Sequence, residues 1–238
     1  MKVAAVFGAG GGIGHAIVGR LAQSGHYARI HAGSRQPCAG FGPTVTPFTF
    51  DLTYEDSIAD AATAIDAPPE LVLVTTGMLH DAARNIAPEK TMRSLNAASM
   101  ARAFAINTTG PALIAKHMLP RLPRDRRAVF AVLSARVGSI GDNRLGGWHA
   151  YRASKAALDM LVVNFAIEMR RTHPEAIVVA LHPGTVGTAL SAPFQGSVPA
   201  GKLFSPATAA DHLLRVIETL TPADSGSLIA WNGERLPW

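Results

Sequence analysis

Seven short apolar runs alternate with longer amphipathic segments along 238 residues, and this alternation constrains the fold more than any other feature of the chain. The runs are VAAVF (3–7), ARIHAG (28–33), PFTF (47–50), ELVLVTT (70–76), AVFAVLS (128–134), IVVALH (177–182) and SLIAW (227–231). Short, nearly continuous apolar runs are the pattern of strands buried on both faces. Between them, helical patterns run through about 12–25, 54–66, 94–120, 150–171 and 206–220; in the first, Ile13, Ile17, Leu21 and Ala22 share a face. The alternation predicts an α/β fold, a doubly wound parallel sheet with helices on both faces in three layers. No composition break, repeat or long linker interrupts it, so residues 1–238 read as a single domain. In such a sheet, ligands bind at the carboxyl ends of the strands.

Composition narrows the function classes. Hydrophobic residues make up 48 % and charged residues 16 %, a globular balance that excludes disorder. A lone Cys38 forms no internal disulfide, which fits a reducing compartment. The apolar run before the first glycines is too short for a signal peptide, and no apolar stretch of about 18 residues occurs. The expectation is a cytoplasmic protein with no membrane partner. The net charge of +5 permits anion binding, but the only dense basic cluster, RLPRDRR (121–127), lacks interleaved aromatic residues and reads as a solvated loop, not a nucleic-acid site. The nine histidines show no ligand spacing, so no metal site is expected.

GAGGGIG (8–14) follows the first strand and opens the first helix. A G-x-G-x-x-G frame from Gly8 fails at Ile13, whereas G-x-x-x-G-x-G places Gly8, Gly12 and Gly14. At a helix start, free backbone N–H groups and the helix dipole attract a pyrophosphate, as in the dinucleotide-binding Rossmann fold. Gly8 would make the sharp turn, Gly12 would let backbone approach phosphate, and Gly14 would pack helix against strand. Cofactor choice is read at the end of the second strand. AGSRQP (32–37) has no carboxylate for a ribose 2′-hydroxyl; Ser34 and Arg35 instead offer a hydroxyl and a planar cation suited to a 2′-phosphate. NADP is therefore expected in preference to NAD.

The glycine frame, YRASK (151–155), INTTGPALIAKHMLP from Ile106, LHPGTVGT (181–188) and DLT (51–53) come in an order that resembles the short-chain dehydrogenase/reductase family. PEKT (88–91) and the ending SLIAWNGERLPW are further similar to its subgroup around the bacterial C-factor protein and small carbonyl reductases. The resemblance implies a nicotinamide-dependent oxidoreductase acting on a carbonyl or alcohol. Its catalytic residues would be Tyr151, Lys155 and Asn107, with Lys155 also holding the cofactor ribose and Asn107 positioning a water in a proton relay. Gly8, Gly10, Gly11, Gly12, Ile13, Gly14, Ser34, Arg35, Asp51, Leu52, Thr75, Thr76, Gly77, Tyr151, Lys155, Pro183, Gly184, Val186 and Thr188 would line the cofactor. Residues four apart share a helix face, so the ammonium of Lys155 can favour the phenolate of Tyr151, which serves as general acid and base.

Three positions depart from the family pattern. Phe7 replaces a threonine, Thr75 replaces an asparagine, and Ala135 stands where the second, catalytic serine of S-S-x-x-G is expected. Ser134 and Ser139 are the candidate substitutes, although alternation along a strand turns Ser134 away from the position that Ala135 occupies. Ala135 keeps a second reading open: an NADP-binding signalling or scaffold protein with little catalysis. Loops at about 136–149 and 189–205 would contact substrate, the latter as a lid over an uncharged molecule. Helices near 94–120 and 150–171 carry apolar residues beyond one face (Met100, Phe104, Leu113 and Met118; Leu158, Leu161, Val162 and Phe165), which predicts a homodimer or homotetramer.

Overall fold

The computed structural model describes residues 2–199 and 201–238. Strands β1 (Lys2–Phe7), β2 (Tyr27–Ser34), β3 (Val45–Thr49), β4 (Leu71–Val74), β5 (Ala128–Leu133) and β6 (Ala176–His182) fall on the six apolar runs before residue 183, with ends shifted by up to two residues. Strands β7 (Thr185–Val186) and β8 (Leu203–Phe204) pair parallel as a separate two-stranded sheet. The main sheet is completed by β9 (Leu228–Ala230) and a short antiparallel edge, β10 (Arg235–Leu236), giving the order β10-β9-β6-β5-β4-β1-β2-β3. Neither β7–β8 nor β10 is legible as an apolar run, because two-residue strands have no period. Pro47 lies in β3 at the opposite edge, where its missing N–H leaves no ladder bond unmade.

Helices α1 (Gly12–Ser24) and α6 (Pro206–Thr219) cover one face, over Ile17, Val18, Leu21, Ala210, Leu213 and Val216. Helices α2 (Glu55–Thr63), α3 (Ala97–Phe104), α4 (Gly110–Met118) and α5 (His149–Met169) lie on the other side, where Ile58, Ile114, Leu158 and Val162 anchor the second core. The predicted helix at 94–120 is three pieces: a single π-helical turn at 105–109 joins α3 to α4 and carries Asn107. Such turns insert one residue into the helical ladder and recur at functional sites.

One further expectation is met and one corrected here. The basic cluster is solvated as expected, Arg124 to Arg127 being exposed, and it also has structural partners: Arg127 donates to the carbonyls of Ile217 and Leu220, which caps the end of α6, and Arg126 pairs with Glu70 at 3.0 Å. Met118, Leu158 and Val162 belong to the core, so they are not surplus apolar surface; the exposed apolar residues of α5 are Met160 and Ile167. Among the described residues, no helix is long and apolar enough to cross a membrane.

Candidate active site

The parallel strands β1 to β6 deliver their loops to one edge of the sheet, and the loop after β1 is built for close packing. Gly8 has φ +106°, a conformation that disfavours any side chain, and the amides of Gly8 and Ala9 both donate to the carbonyl of Gly33 at 2.8 Å. A Cβ on Gly14 would lie 2.2 Å from the Gly8 carbonyl oxygen and 2.5 Å from Thr75 Oγ1, so α1 rests directly on the turn. Gly12 faces Thr188, whose methyl would be 2.9 Å from an added Cβ; this brings the segment after β6 to the start of α1. Gly11 caps α1 without a side-chain acceptor, so the first-turn amides of Gly12, Ile13 and Gly14 point outward with no intrahelical acceptor. This is an anion cradle. Thr75 takes up part of an asparagine's duty: its amide and hydroxyl both donate to the carbonyl of Phe7, at 2.8 and 3.1 Å, tying β4 to β1. Thr76 Oγ1 beside it is buried with no partner among the described residues, as expected of a group that faces a polar ligand.

Next to this cradle, Arg35, Thr49, Phe50, Asp51 and Ser57 line a cavity of about 270 Å³. Arg35 is exposed. The Asp51 carboxylate accepts from the amide and hydroxyl of Thr53 at 2.8 and 2.7 Å, and these bonds hold it below the usual carboxylate range. Leu52 is buried against Gly110. Ser34 does not face this cavity: its hydroxyl turns into its own loop, against the carbonyl of Gln36 and Cys38 Sγ.

The residues expected to be catalytic lie on α5 and the π-helical turn. Tyr151 and Lys155 sit one turn apart on α5, and Lys155 Nζ lies 6.0 Å from the centre of the Tyr151 ring. Lys155 is buried and donates to the carbonyl of Leu133 at 2.8 Å. Burial pushes its ammonium down to about 8, with Asp159 acting in the opposite direction. Burial also pushes the Tyr151 phenol up to about 12. Desolvation therefore acts against the phenolate that the spacing of Tyr151 and Lys155 leads one to expect. Asn107 is fully buried; its side-chain amide donates to the Met78 carbonyl at 2.8 Å and to Ser154 Oγ at 3.0 Å, while its oxygen accepts from the Met78 amide. The π-helical turn thereby locks the loop after β4 to α5. Neither candidate serine meets Tyr151. Ser134 Oγ is buried beneath Lys155 near Asp159, and Ser139 Oγ accepts from the Asp142 amide at 3.1 Å.

Sequence reasoning missed an aromatic wall. Gly146, Gly147 and Trp148 are three successive residues with positive φ, the last at +49° although it is a tryptophan. Holding a bulky residue there costs about 1–3 kcal/mol and persists only where surroundings impose it. Here Glu89 does so: its carbonyl accepts from the Trp148 amide at 2.5 Å and its carboxylate from the Ala150 amide at 3.1 Å, capping α5 from the PEKT segment. The Trp148 ring then stands 6.3 Å from that of Tyr151 and 5.2 Å from that of Phe194, which is 5.9 Å from His80. The Ala189 carbonyl meets His80 Nε2 at 3.1 Å, which holds the start of the 189–199 segment beside the same ring cluster. The run G-G-W was the available signal, since successive glycines before a helix mark a forced turn.

The profile of the short chain dehydrogenase family matches residues 2–197. The chain belongs to that family. Among curated relatives, the C-signal protein of Myxococcus xanthus is 39 % identical over 142 residues, which cover 59 % of this chain and 80 % of that one. The 1-hydroxy-2-glutathionyl-2-methyl-3-butene dehydrogenase of Rhodococcus sp. (strain AD45) is 32 % identical over 244 residues and the full length of both chains. The fold is that of an NADPH bound carbonyl reductase from chicken fatty liver, with TM-score 0.85, 24 % identity and full coverage of both chains. As a member of this family, the chain is an NAD(P)-dependent oxidoreductase.

His182 ends β6 beside the catalytic face, and burial together with the nearby Arg136 pushes its imidazole down to about 4. A folded state that refuses this proton loses stability as pH falls from the ordinary value of 6.5 toward 4. The slope amounts to at most ~3 kcal/mol. His182→Asn should remove it: urea titrations at the two ends of that window should show a smaller pH dependence than the unmodified protein. An equal dependence in both would place His182 in a proton-accessible setting.

Proposed function

We propose that the chain is an NADP-dependent reductase of uncharged carbonyl compounds, with Tyr151 as the proton donor. The observation that carries this reading is Tyr151 one helical turn from the buried Lys155 on α5, with its ring 6.3 Å from that of Trp148. Bound NADPH would supply the hydride. Gly12, Ile13 and Gly14 would hold its pyrophosphate through their amides, Arg35 its 2′-phosphate, and Asp51 and Leu52 its adenine. Thr75, Thr76, Gly77, Pro183, Gly184, Val186 and Thr188 would enclose the rest. Tyr151 gives its proton to the carbonyl oxygen, and Lys155 orients the phenol and replenishes charge beside it. Trp148 and Phe194 would exclude water and receive an apolar or flat substrate, while the Glu89 carboxylate and the Arg152 guanidinium beside them are held by the Ala150 amide and the Gly147 carbonyl. NADPH oxidation should therefore proceed with uncharged aromatic aldehydes and ketones, and preference for acidic substrates would contradict the reading.

Arg35 should set cofactor choice. A guanidinium–phosphate contact contributes about 1.5–3 kcal/mol, so Arg35→Ala should weaken NADPH binding by about 10- to 100-fold and leave NADH binding unchanged. Fluorescence titration of both nucleotides decides it, and tighter NADH binding by the unmodified protein would refute the assignment.

Ala135, with Ser134 Oγ buried near Asp159 and Ser139 accepting from the Asp142 amide, supports the second reading of a nucleotide-binding protein with little turnover. We also propose a homodimer or homotetramer formed through α4 and α5, on which Met160 is 60 % and Ile167 is 52 % exposed. Light scattering at micromolar concentration that returned a monomer mass would refute it.

A further inference from the structure

One turn along α5 from Lys155 the structure buries polar atoms that make no well-formed hydrogen bond among the described residues, both carboxylate oxygens of Asp159, Ser134 Oγ and His182 Nδ1, although the Ser134 hydroxyl lies close enough to Asp159 to act on it. Burying an unpaired carboxylate costs several kcal/mol, so this arrangement persists against a gradient. Asp159 is only 3 % exposed. It follows Tyr151 and Lys155 at the same four-residue spacing, which puts the three on one stripe of α5. Opposite, β5 and β6 end together: Leu133 pairs with Leu181, and the Ser134 amide donates to the Leu181 carbonyl at 2.8 Å. Both leucines point into the core under α1 and α6, so the next residues, Ser134 and His182, point to the α5 side. Gly138 closes the flank. A Cβ there would be 2.8 Å from Lys155 Cβ and 3.1 Å from Asp159 Oδ2.

We propose that Asp159 is a positioning residue of the reaction: its buried carboxyl group, seated against Ser134 one turn below Lys155, keeps the Lys155 ammonium charged and aimed beneath Tyr151. This rests on the roles assigned to Tyr151 and Lys155 above. Lys155 has a single hydrogen bond, to a neutral carbonyl, and no carboxylate within ion-pair distance among the described residues. Desolvation therefore drives it toward the neutral amine, and Asp159 is the group that opposes this. Burial in turn pushes the Asp159 carboxyl up to about 7, with the Ser134 hydroxyl and Lys155 drawing it back down. The two sites exchange advantage near neutrality, each ion favouring the other. The remaining groups facing this pocket do not titrate there: His182 on β6 stays neutral above about 4, and Arg136, on the turn after β5, reaches outward to Glu234 at 3.2 Å and Asp142 at 3.6 Å.

The test begins without cofactor or substrate. Carbon-13 carboxyl and nitrogen-15 ammonium spectra of the apo protein should show one aspartate, absent from Asp159→Asn, titrating near 7 and not near the ordinary 3.8. In Asp159→Asn, which keeps side-chain size, the Lys155 midpoint should fall below about 8. In turnover with NADPH, the alkaline limb of kcat should move about one pH unit lower in Asp159→Asn, which is about tenfold in rate on that limb, with KM for the carbonyl within about twofold. An Asp159 that titrates in the ordinary range, or a Lys155 midpoint unmoved by the substitution, would overturn the proposal. Should Asp159→Asn fail to fold, the wild-type titration alone decides it. Coupled titration in a protein that reduces no carbonyl would uphold the charge pairing and refute the reductase reading instead.

Discussion

Tyr151→Phe should lower turnover by about a hundred- to ten-thousandfold while leaving NADPH affinity within about threefold, the range expected when a general acid is removed and binding is spared. The effect is specific because the substitution deletes one oxygen. The ring keeps its place beside Trp148, at 6.3 Å between centres, and the hydroxyl makes no hydrogen bond among the described residues whose loss could disturb the fold. A phenol, protonated at neutral pH, is suited to donate its proton to a carbonyl oxygen. Stopped-flow turnover and nucleotide titration on the same preparation separate the two quantities. Retained activity in Tyr151→Phe would remove the catalytic assignment.

Ala135→Ser should raise kcat. Ala135 continues the extended backbone of β5, with φ −151° and ψ 142°, and it is only partly buried, so an added hydroxyl meets little resistance. One well-placed donor to a developing oxyanion is worth roughly 2.7–4 kcal/mol, which sets an upper bound of about a thousandfold in rate. The gain should appear because Ser134 lies under Lys155 and Ser139 serves the turn to Asp142, leaving the carbonyl oxygen without a second donor. If Ala135→Ser brings nothing and Ser139→Ala or Ser134→Ala is severely impaired, the serine has moved and the enzyme is complete as it stands.

The sheet, its helices and the glycine turn at the start of α1 were legible from apolar runs and glycine spacing because each rests on local chemistry. Gly8 needs its positive φ and Gly14 its lack of a Cβ whatever else the chain does. Tyr151 and Lys155 were legible for the same reason, since helical spacing alone sets them on one face. What escaped depends on contacts distant in sequence. Glu89 caps α5 from sixty residues away, roughly, and no local pattern announces that. The direction of the Tyr151 shift escaped too, because the proximity of an ammonium can be read from spacing but the depth of burial cannot. Ser34 reads as a phosphate ligand by position, yet its side chain closes its own loop.

The central claim is that this site moves a hydride to a carbonyl with Tyr151 supplying the proton. NADPH deuterated at the transferred position of the nicotinamide, incubated with an uncharged aromatic ketone or aldehyde and analysed by mass spectrometry, tests it most directly. Deuterium should appear at the carbinol carbon of the product in wild type, in larger yield with Ala135→Ser, and not with Tyr151→Phe. NADPH bound tightly by wild type and Ala135→Ser, with no deuterium in any product of either, would contradict the account and leave a nucleotide-binding protein in place of a reductase.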